Sequence, residues 1–408
     1  MNNKEKQPQL KFLSVCLVIF RPFPIIGGGE ERFLELFSTF LKNERIRFTI
    51  VSSSVKNDIP NVFGVGIKPF KLPLLGLIPY SLLFSIIASI KIILKNKQRQ
   101  FSIIHSMDTG YAGLAGLLAS KMLSVKFVVH SHCSRAHLLK LILLQKRDFT
   151  KQLVCQYEKF ESSIDRLVSR NANFIVAVSN EIKLYLQSLG IPREKIVVNP
   201  VGLEMSSFEP ELKDRKEIRD EFKIPSDAFV VGYIGRLEDP NKQIDVLIKA
   251  FSLFRNQVDV NPYLLIVGND EHKKLWKRIK RLKISSIIVP GFRRDVKKIL
   301  TAIDVFVLPS LSEGCPFSIL EAMATGKTII ASNIPGISDV VEDEKEALLF
   351  DPKDVHMLKK TILRVFFDRP LRKKLEKNAK RKVRIYDTSV VLKRIIRIYE
   401  QCLGETVS

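Results

Sequence analysis

Cysteine is scarce and unpatterned in this 408-residue chain. Cys16, Cys133, Cys155, Cys315 and Cys402 are odd in number and no two stand in a CxxC spacing, which argues against a disulfide framework and for a reduced, cytosolic compartment. Acid is also short. The 43 Asp and Glu residues against 66 Lys and Arg leave a formal charge of +23, concentrated in "HKKLWKRIKRLK" (272–283), "FRRDVKK" (292–298) and "LRKKLEKNAKRKVR" (371–384). Such clusters attract nucleotides, anionic lipid or nucleic acid, and solvated helix faces are their plainer reading. RNP and zinc-finger spacings are missing, so a basic nucleic-acid-binding protein rests on charge alone and no nucleic acid is expected.

Long uninterrupted apolar runs are lacking too. "FLSVCLVIF" (12–20) follows Lys4, Lys6 and Lys11 as a signal peptide would, yet it leads into "RPFP" and a glycine cluster instead of a small-residue cleavage site, so a buried first strand is expected. "LPLLGLIPYSLLFSIIASIKIIL" (72–94) is broken by Pro73, Gly76 and Pro79, which leaves Tyr80–Leu94 as a clean helix. That is short of the ~20 residues a bilayer span needs, and a buried or interfacial helix is expected. A cytoplasmic protein, peripheral on the inner face of the membrane, fits this pattern.

What is present is an alternation of strand-like apolar runs with helical patterns. The first half offers 12–20, 47–53, 101–106, 126–132, 173–179 and 195–200 as strands, and the second half 229–235, 263–268, 286–291, 305–310, 328–332 and 347–350. This order predicts an α/β protein with two doubly wound, Rossmann-like domains of parallel strands facing each other across a cleft. Length alone favours two domains. The polar, proline-marked stretch 202–227 separates the two series and puts the junction near 200–228. The expected division is 1–202, 203–386, and 387–408 as a C-terminal helix returning toward the first domain, with Val391, Ile395, Ile398 and Tyr399 at helical spacing.

Chemistry concentrates in "PSLSEGCPFSILEAMATGK" (309–327). Pro316 fits a first helical turn and Gly326 a left-handed stop, so Glu313 falls in the loop before a helix and Glu321 inside it. The helix N-terminus behind Gly314–Phe317 offers backbone N–H groups to an anion flanked by two carboxylates. One candidate is a phosphate attached to something rich in hydroxyls. "GYIGRLEDPNKQIDVLIKAF" (232–251) delivers Arg236 and Lys242 from the loop after a strand. A guanidinium fork and a flexible ammonium suit a diphosphate.

The ordered set of G-R-L, the Lys six residues after the Arg, "IVG", "FRRDV", "AIDVFVLPS", E-x7-E and "IIASNIPGISDVVEDEKEALLF" resembles the retaining glycosyltransferases of family 4, which have the GT-B fold. The first half matches more loosely through "GGGE", "IIHS", "VAVSNEI" and "VVNP". The resemblance implies that Arg236 and Lys242 hold the donor diphosphate, that Glu313 contacts the donor sugar, and that Glu321 contacts the nucleotide ribose, with Gly314, Pro316, Phe317 and Ser318 lining the same site. It implies a glycine loop at Gly27, Gly28 and Gly29, which otherwise reads only as a turn, and a histidine beside the reacting sugar at His130. His132 and His137 stand near enough in sequence for a zinc site with His130, but no fourth ligand is evident.

This chain departs from the family in two places. "VGNDEH" (267–272) lacks the second glycine common after "VG", and Gln243 replaces the glycine common after the Lys, which bears on donor identity more than on fold. No Asp-x-Asp pair occurs, so the metal-dependent glycosyltransferase architecture lacks its main signature, and neither metal nor cofactor is expected beyond a nucleotide-diphosphate sugar as co-substrate. The resulting expectation is a retaining glycosyltransferase of cell-envelope polysaccharide or glycoconjugate synthesis. Its partners would be a nucleotide-sugar donor, a glycan or lipid-linked acceptor and an anionic membrane surface. A glycoside hydrolase or phosphorylase using the paired glutamates is the competing reading.

Overall fold

The computed structural model describes residues 13–20, 46–53, 62–65, 77–132, 151–269, 275, 277, 279, 281 and 284–404. The chain divides into two compact units. One takes the residues up to Val178, Ile182–Pro200 and those from Leu392 onward; the other takes Ser179–Glu181 and Val201–Val391.

The first unit holds a parallel sheet of β1 (Leu13–Ile19), β2 (Ile46–Ser52), β3 (Val62–Gly64), β4 (Ile103–Ser106), β5 (Lys126–Ser131), β6 (Phe174–Ala177) and β7 (Ile196–Val198), in the order β3-β2-β1-β4-β5-β6-β7. Its helices are α1 (Leu77–Arg99), α2 (Tyr111–Leu123), α3 (Lys151–Asn171) and, from Ile182 onward, α4 (Asn180–Ser188), whose first two residues belong to the second unit. Every residue of β1 is buried, as a strand covered on both faces requires. That run is therefore a central strand, as its flanking residues suggest. The short edge strand β3 is not anticipated from the sequence, because three residues carry too little pattern to register.

The second unit builds a parallel sheet from β8 (Val230–Ile234), β9 (Tyr263–Val267), β10 (Ile287–Gly291), β11 (Val305–Leu308), β12 (Thr328–Ser332) and β13 (Leu348–Phe350), in the order β10-β9-β8-β11-β12-β13. Its helices are α5 (Leu212–Glu221), α6 (Ile244–Arg255), α7 (Val296–Ala302), α8 (Phe317–Ala324), α9 (Pro335–Ser338), α10 (Val355–Phe367) and α11 (Arg369–Lys382). The last helix, α12 (Thr388–Leu403), begins in the second unit and continues in the first. In both sheets the strand order reverses, between β1 and β4 and between β8 and β11, and such reversals open a crevice at the carboxyl ends of the strands.

Two helix boundaries differ from the sequence expectation for local reasons. Helix α1 begins at Leu77, with Pro79 inside its first turn, where the missing N–H removes no helical hydrogen bond. It also runs on through "KNKQR" to Arg99, so it is longer than the fifteen-residue core of Tyr80–Leu94. Pro316 occupies the N-cap of α8 with φ −75° rather than its first turn. Gly326 lies just past that helix at φ +66°, the left-handed stop its position implies.

Candidate active site

The loops after β8 and β11 leave adjacent strands at the reversal point of the second sheet, and backbone and side chain lace them together. The Leu311 N–H donates to the Asn241 carbonyl at 2.9 Å, and Asn241 Nδ2 donates to the Ser312 carbonyl at 2.7 Å. Asp239 caps the short turn Pro240–Lys242 by accepting from the Asn241 N–H at 3.0 Å. That turn aims Lys242 across the gap. Its Nζ meets Glu313 Oε1 at 2.5 Å, and Ser310 Oγ donates to the same oxygen at 2.6 Å. Both side chains of the ion pair are only 12% exposed, so removing either would strand a charge in a poorly hydrated place.

Arg236 lies in the same loop but does not join this pair. Its Nη2 binds Asp239 at 3.0 Å while 66% of its side chain faces solvent, a contact of little worth to stability that leaves the fork accessible to a ligand. Sequence pattern gives no warning that Lys242 and Glu313, 71 positions apart, meet directly.

Glu313 is held from beneath by α9. A Cβ on Gly336 would stand 1.7 Å from the Glu313 carbonyl oxygen, so only glycine permits this approach. Two further carboxylates gather here. Asp339 Oδ2 accepts from the Asn180 N–H at 2.6 Å. Burial and then the charges of Asp339 and Glu313 push the Glu181 carboxyl above its ordinary range, against the lowering pull of the Gly336 N–H. Neither Glu181 nor Asp339 is singled out by the sequence, although both sit in stretches, "VAVSNEI" and "IPGISDVV", that carry the resemblance.

Behind Glu313 the chain turns into α8. Gly314, Phe317 and Ser318 are half-buried and Pro316 is buried. The N–H groups of Phe317 and Ser318 lie ahead of the helical ladder, which starts with Ile319 and Leu320 donating to the Pro316 carbonyl. Glu321 falls on the buried face of α8 at 4% exposure, one helical turn inside the segment that Glu313 precedes. Burial pushes the Cys315 thiol up to about 12, which keeps it protonated and a poor nucleophile.

In the first unit, His130 is the next-to-last residue of β5 and sits inside a column of parallel rings. His132 stacks on it at 4.4 Å and 8°, and His105 of β4 at 5.6 Å and 10°. His105 Nδ1 lies 2.6 Å from the Tyr399 hydroxyl on α12. His105 and His130 are fully buried and His132 is half-buried, so His132 is the member of the column nearest to solvent. Burial and the neighbouring His132 lower the His105 pKa to about 3 and hold His130 well below its usual range. His105 escapes sequence reading because "IIHS" registers only as a strand. Rings stacked in parallel do not aim their nitrogens at one point, which disfavours a zinc site built on His130 and His132. Gly27, Gly28, Gly29 and His137 lie outside the described residues.

Comparison with known proteins gives this arrangement a family. Residues 27–206 match Glycosyltransferase Family 4, and residues 214–382 match Glycosyl transferases group 1. The chain is 25% identical over 391 residues to a UDP-Gal:alpha-D-GlcNAc-diphosphoundecaprenol alpha-1,3-galactosyltransferase of Escherichia coli, covering 94% of this chain and 96% of that one. It is 25% identical over 246 residues to an N,N'-diacetylbacillosaminyl-diphospho-undecaprenol alpha-1,3-N-acetylgalactosaminyltransferase of Campylobacter jejuni, covering 59% of this chain and 64% of that one. Among solved structures, sucrose-phosphate synthase from Thermosynechococcus elongatus superposes with a TM-score of 0.81 at 18% identity, over 96% of this chain and 99% of the other. Anabaena HepE in complex with UDP-glucose gives 0.75 at 19%, over 95% and 100%. The two family matches occupy nearly the whole length between them, and with the two reversed parallel sheets they place the chain among the group 1 and family 4 glycosyl transferases: it is a glycosyltransferase of the GT-B fold.

Proposed function

We propose that the chain moves a sugar from a nucleotide-diphosphate donor to a glycan or lipid-linked acceptor in cell-envelope polysaccharide or glycoconjugate synthesis, with retention of the donor's anomeric configuration. The observation that carries this reading is the Lys242–Glu313 pair joining the loops after β8 and β11. It sets an ammonium, a carboxylate and the forward N–H groups of α8 side by side where an α/β sheet binds ligands. The similar E. coli and C. jejuni enzymes, whose names specify diphosphoundecaprenol acceptors, support a lipid-linked acceptor here.

In the reaction the bond from the sugar C1 to the diphosphate oxygen breaks and the acceptor oxygen bonds to C1. Negative charge grows on the leaving diphosphate, and the acceptor's hydroxyl proton passes to that diphosphate oxygen or to solvent. Arg236, Lys242 and the Phe317 and Ser318 N–H groups answer that charge from fixed positions, the kind of term that dominates such sites. Both Lys242 and Ser310 end on Glu313 Oε1, which orients the second oxygen for a hydroxyl of the donor sugar. Glu321 takes the ribose. By the resemblance, Gly27, Gly28 and Gly29 are assigned to donor or acceptor binding and His130 to the reacting sugar. No metal enters the scheme.

Purified protein tested against a panel of nucleotide-sugars by thermal shift should respond to one nucleotide class, and proton NMR of the transferred product should show the donor's anomeric configuration. An inverted product would defeat the retaining mechanism. Cleavage of a simple glycoside with no nucleotide would favour a hydrolase instead.

A further inference from the structure

We propose that Glu181 is a positioning residue for sugar transfer: its carboxylate fixes α9 through the Gly336 N–H, and α9 in turn fixes the loop that carries Glu313, a role that rests on the reading of Glu313 as the donor-sugar contact. Ser179–Glu181 belong to the second unit although the rest of α4 does not. Two half-buried carboxylates make the attachment, each taking N–H groups that the first turn of the other helix leaves without a helical partner. Asp339, which directly follows α9, accepts from the Asn180 N–H at 2.6 Å and the Glu181 N–H at 3.3 Å, while its other oxygen accepts from Asn180 Nδ2 at 3.2 Å. Glu181 returns the contact by accepting from the Gly336 N–H at the start of α9.

Gly336 touches both ends of this chain of contacts. A Cβ built on it would stand 3.0 Å from Glu181 Oε2 and 1.7 Å from the Glu313 carbonyl oxygen. Glu313 is thus held twice, at its carboxylate by Lys242 and Ser310 and at its backbone by Gly336, which Glu181 secures. A diphosphate that draws on Lys242 would weaken the first anchor, and the second would then decide where Glu313 stands as the sugar leaves. The charged groups that act on Glu181 are Asp339 and Glu313, both negative, and gathering like charges costs the folded state stability. What keeps the carboxylate among them is the charge-assisted bond it accepts from the Gly336 N–H. Carboxylates held in perturbed surroundings of this kind concentrate at functional sites.

Three variants of the full chain separate reach from charge. Glu181→Ala loses both, Glu181→Asp keeps the charge but falls one methylene short of Gly336, and Glu181→Gln keeps an accepting oxygen at the same reach. Under saturating preferred donor, kcat should fall by roughly tenfold or more in the Ala and Asp variants and be restored to within about threefold of wild type by Gln, while the donor KM moves by less than about threefold in all three. Added to Glu313→Gln, Glu181→Ala should lower kcat by less than about twofold further, because the residue it acts through is already lost. Deuterium exchange of the peptide covering 309–316 reads the same loop without any transfer. Exchange should quicken in the Ala and Asp variants and stay at the wild-type rate in Gln. A Gln variant as slow as Ala, a KM rise that accounts for the whole loss, full additivity with Glu313→Gln, or exchange unchanged in all three would overturn the proposal. Should the wild type transfer no sugar, the proposed function fails, and the exchange rates still decide whether Glu181 holds the Glu313 loop. Melting temperatures show which variants are folded, and the comparison of Asp with Gln carries the test if Ala is not.

Discussion

Lys242 pairs with Glu313, and under the proposed function a donor diphosphate would share that ammonium. Loss of Lys242 should therefore act on donor use: Lys242→Ala is expected to cut kcat/KM for the donor by roughly tenfold to a thousandfold, the range of a lost charge-assisted contact at a developing charge. Steady-state kinetics with the preferred donor check this, and unchanged values would remove Lys242 from the site. The two glutamates should fail differently, because only contacts that strengthen in the transition state govern turnover. Glu313→Gln should chiefly lower kcat, and Glu321→Gln should chiefly raise the donor KM. Identical defects would contradict that division. Gln243, which follows Lys242 with φ at +48°, is a residue-scale matter of stability. A side chain there strains the left-handed backbone by about 1 kcal/mol, partly offset by its Nε2 bond to the Pro240 carbonyl at 2.7 Å. Gln243→Gly should leave folding stability equal or higher by up to about 1 kcal/mol in urea titration, with the Lys242 turn intact.

At the scale of elements, the site depends on α9 reaching the loop after β11. Gly336→Ala places a methyl inside the Glu313 carbonyl, so the loop must move. The variant should lose most donor turnover while its far-UV circular dichroism stays near wild type, and full activity would show that the loop tolerates the shift. Strands β4 and β5 carry a different liability. His105 and His130 are buried and kept neutral, with folded pKa values below the ordinary value. The unfolded chain gains protons as pH falls through about 6.5 and the folded chain does not, so the stability these residues contribute is present above that pH and is lost as pH drops toward about 3. Urea midpoints should fall between about pH 7 and about pH 5, and His130→Gln should flatten part of that fall. A slope the same in the variant would acquit His130.

At the scale of the molecule, the strands were legible because doubly covered parallel strands are nearly continuous apolar runs, as "LSVCLVI" and "TIIAS" show. The turns were legible where one residue type is physically required, as at Gly326. What pairs across the sheet was not. The bond between Lys242 and Glu313, the stacking of His105 on His130, and the closeness of Gly336 to Glu313 arise from strand order, which local pattern does not encode. The glycine triplet Gly27–Gly29 lies outside the described residues, so its part in the site rests on the resemblance alone. The most direct test of the central claim is nucleoside diphosphate release measured with the preferred nucleotide-sugar, with and without a lipid-linked sugar acceptor, in the wild type and in Lys242→Ala. Acceptor-dependent release by the wild type that falls by roughly tenfold or more in the variant is the predicted result. Release that is indifferent to both acceptor and Lys242 would contradict the account.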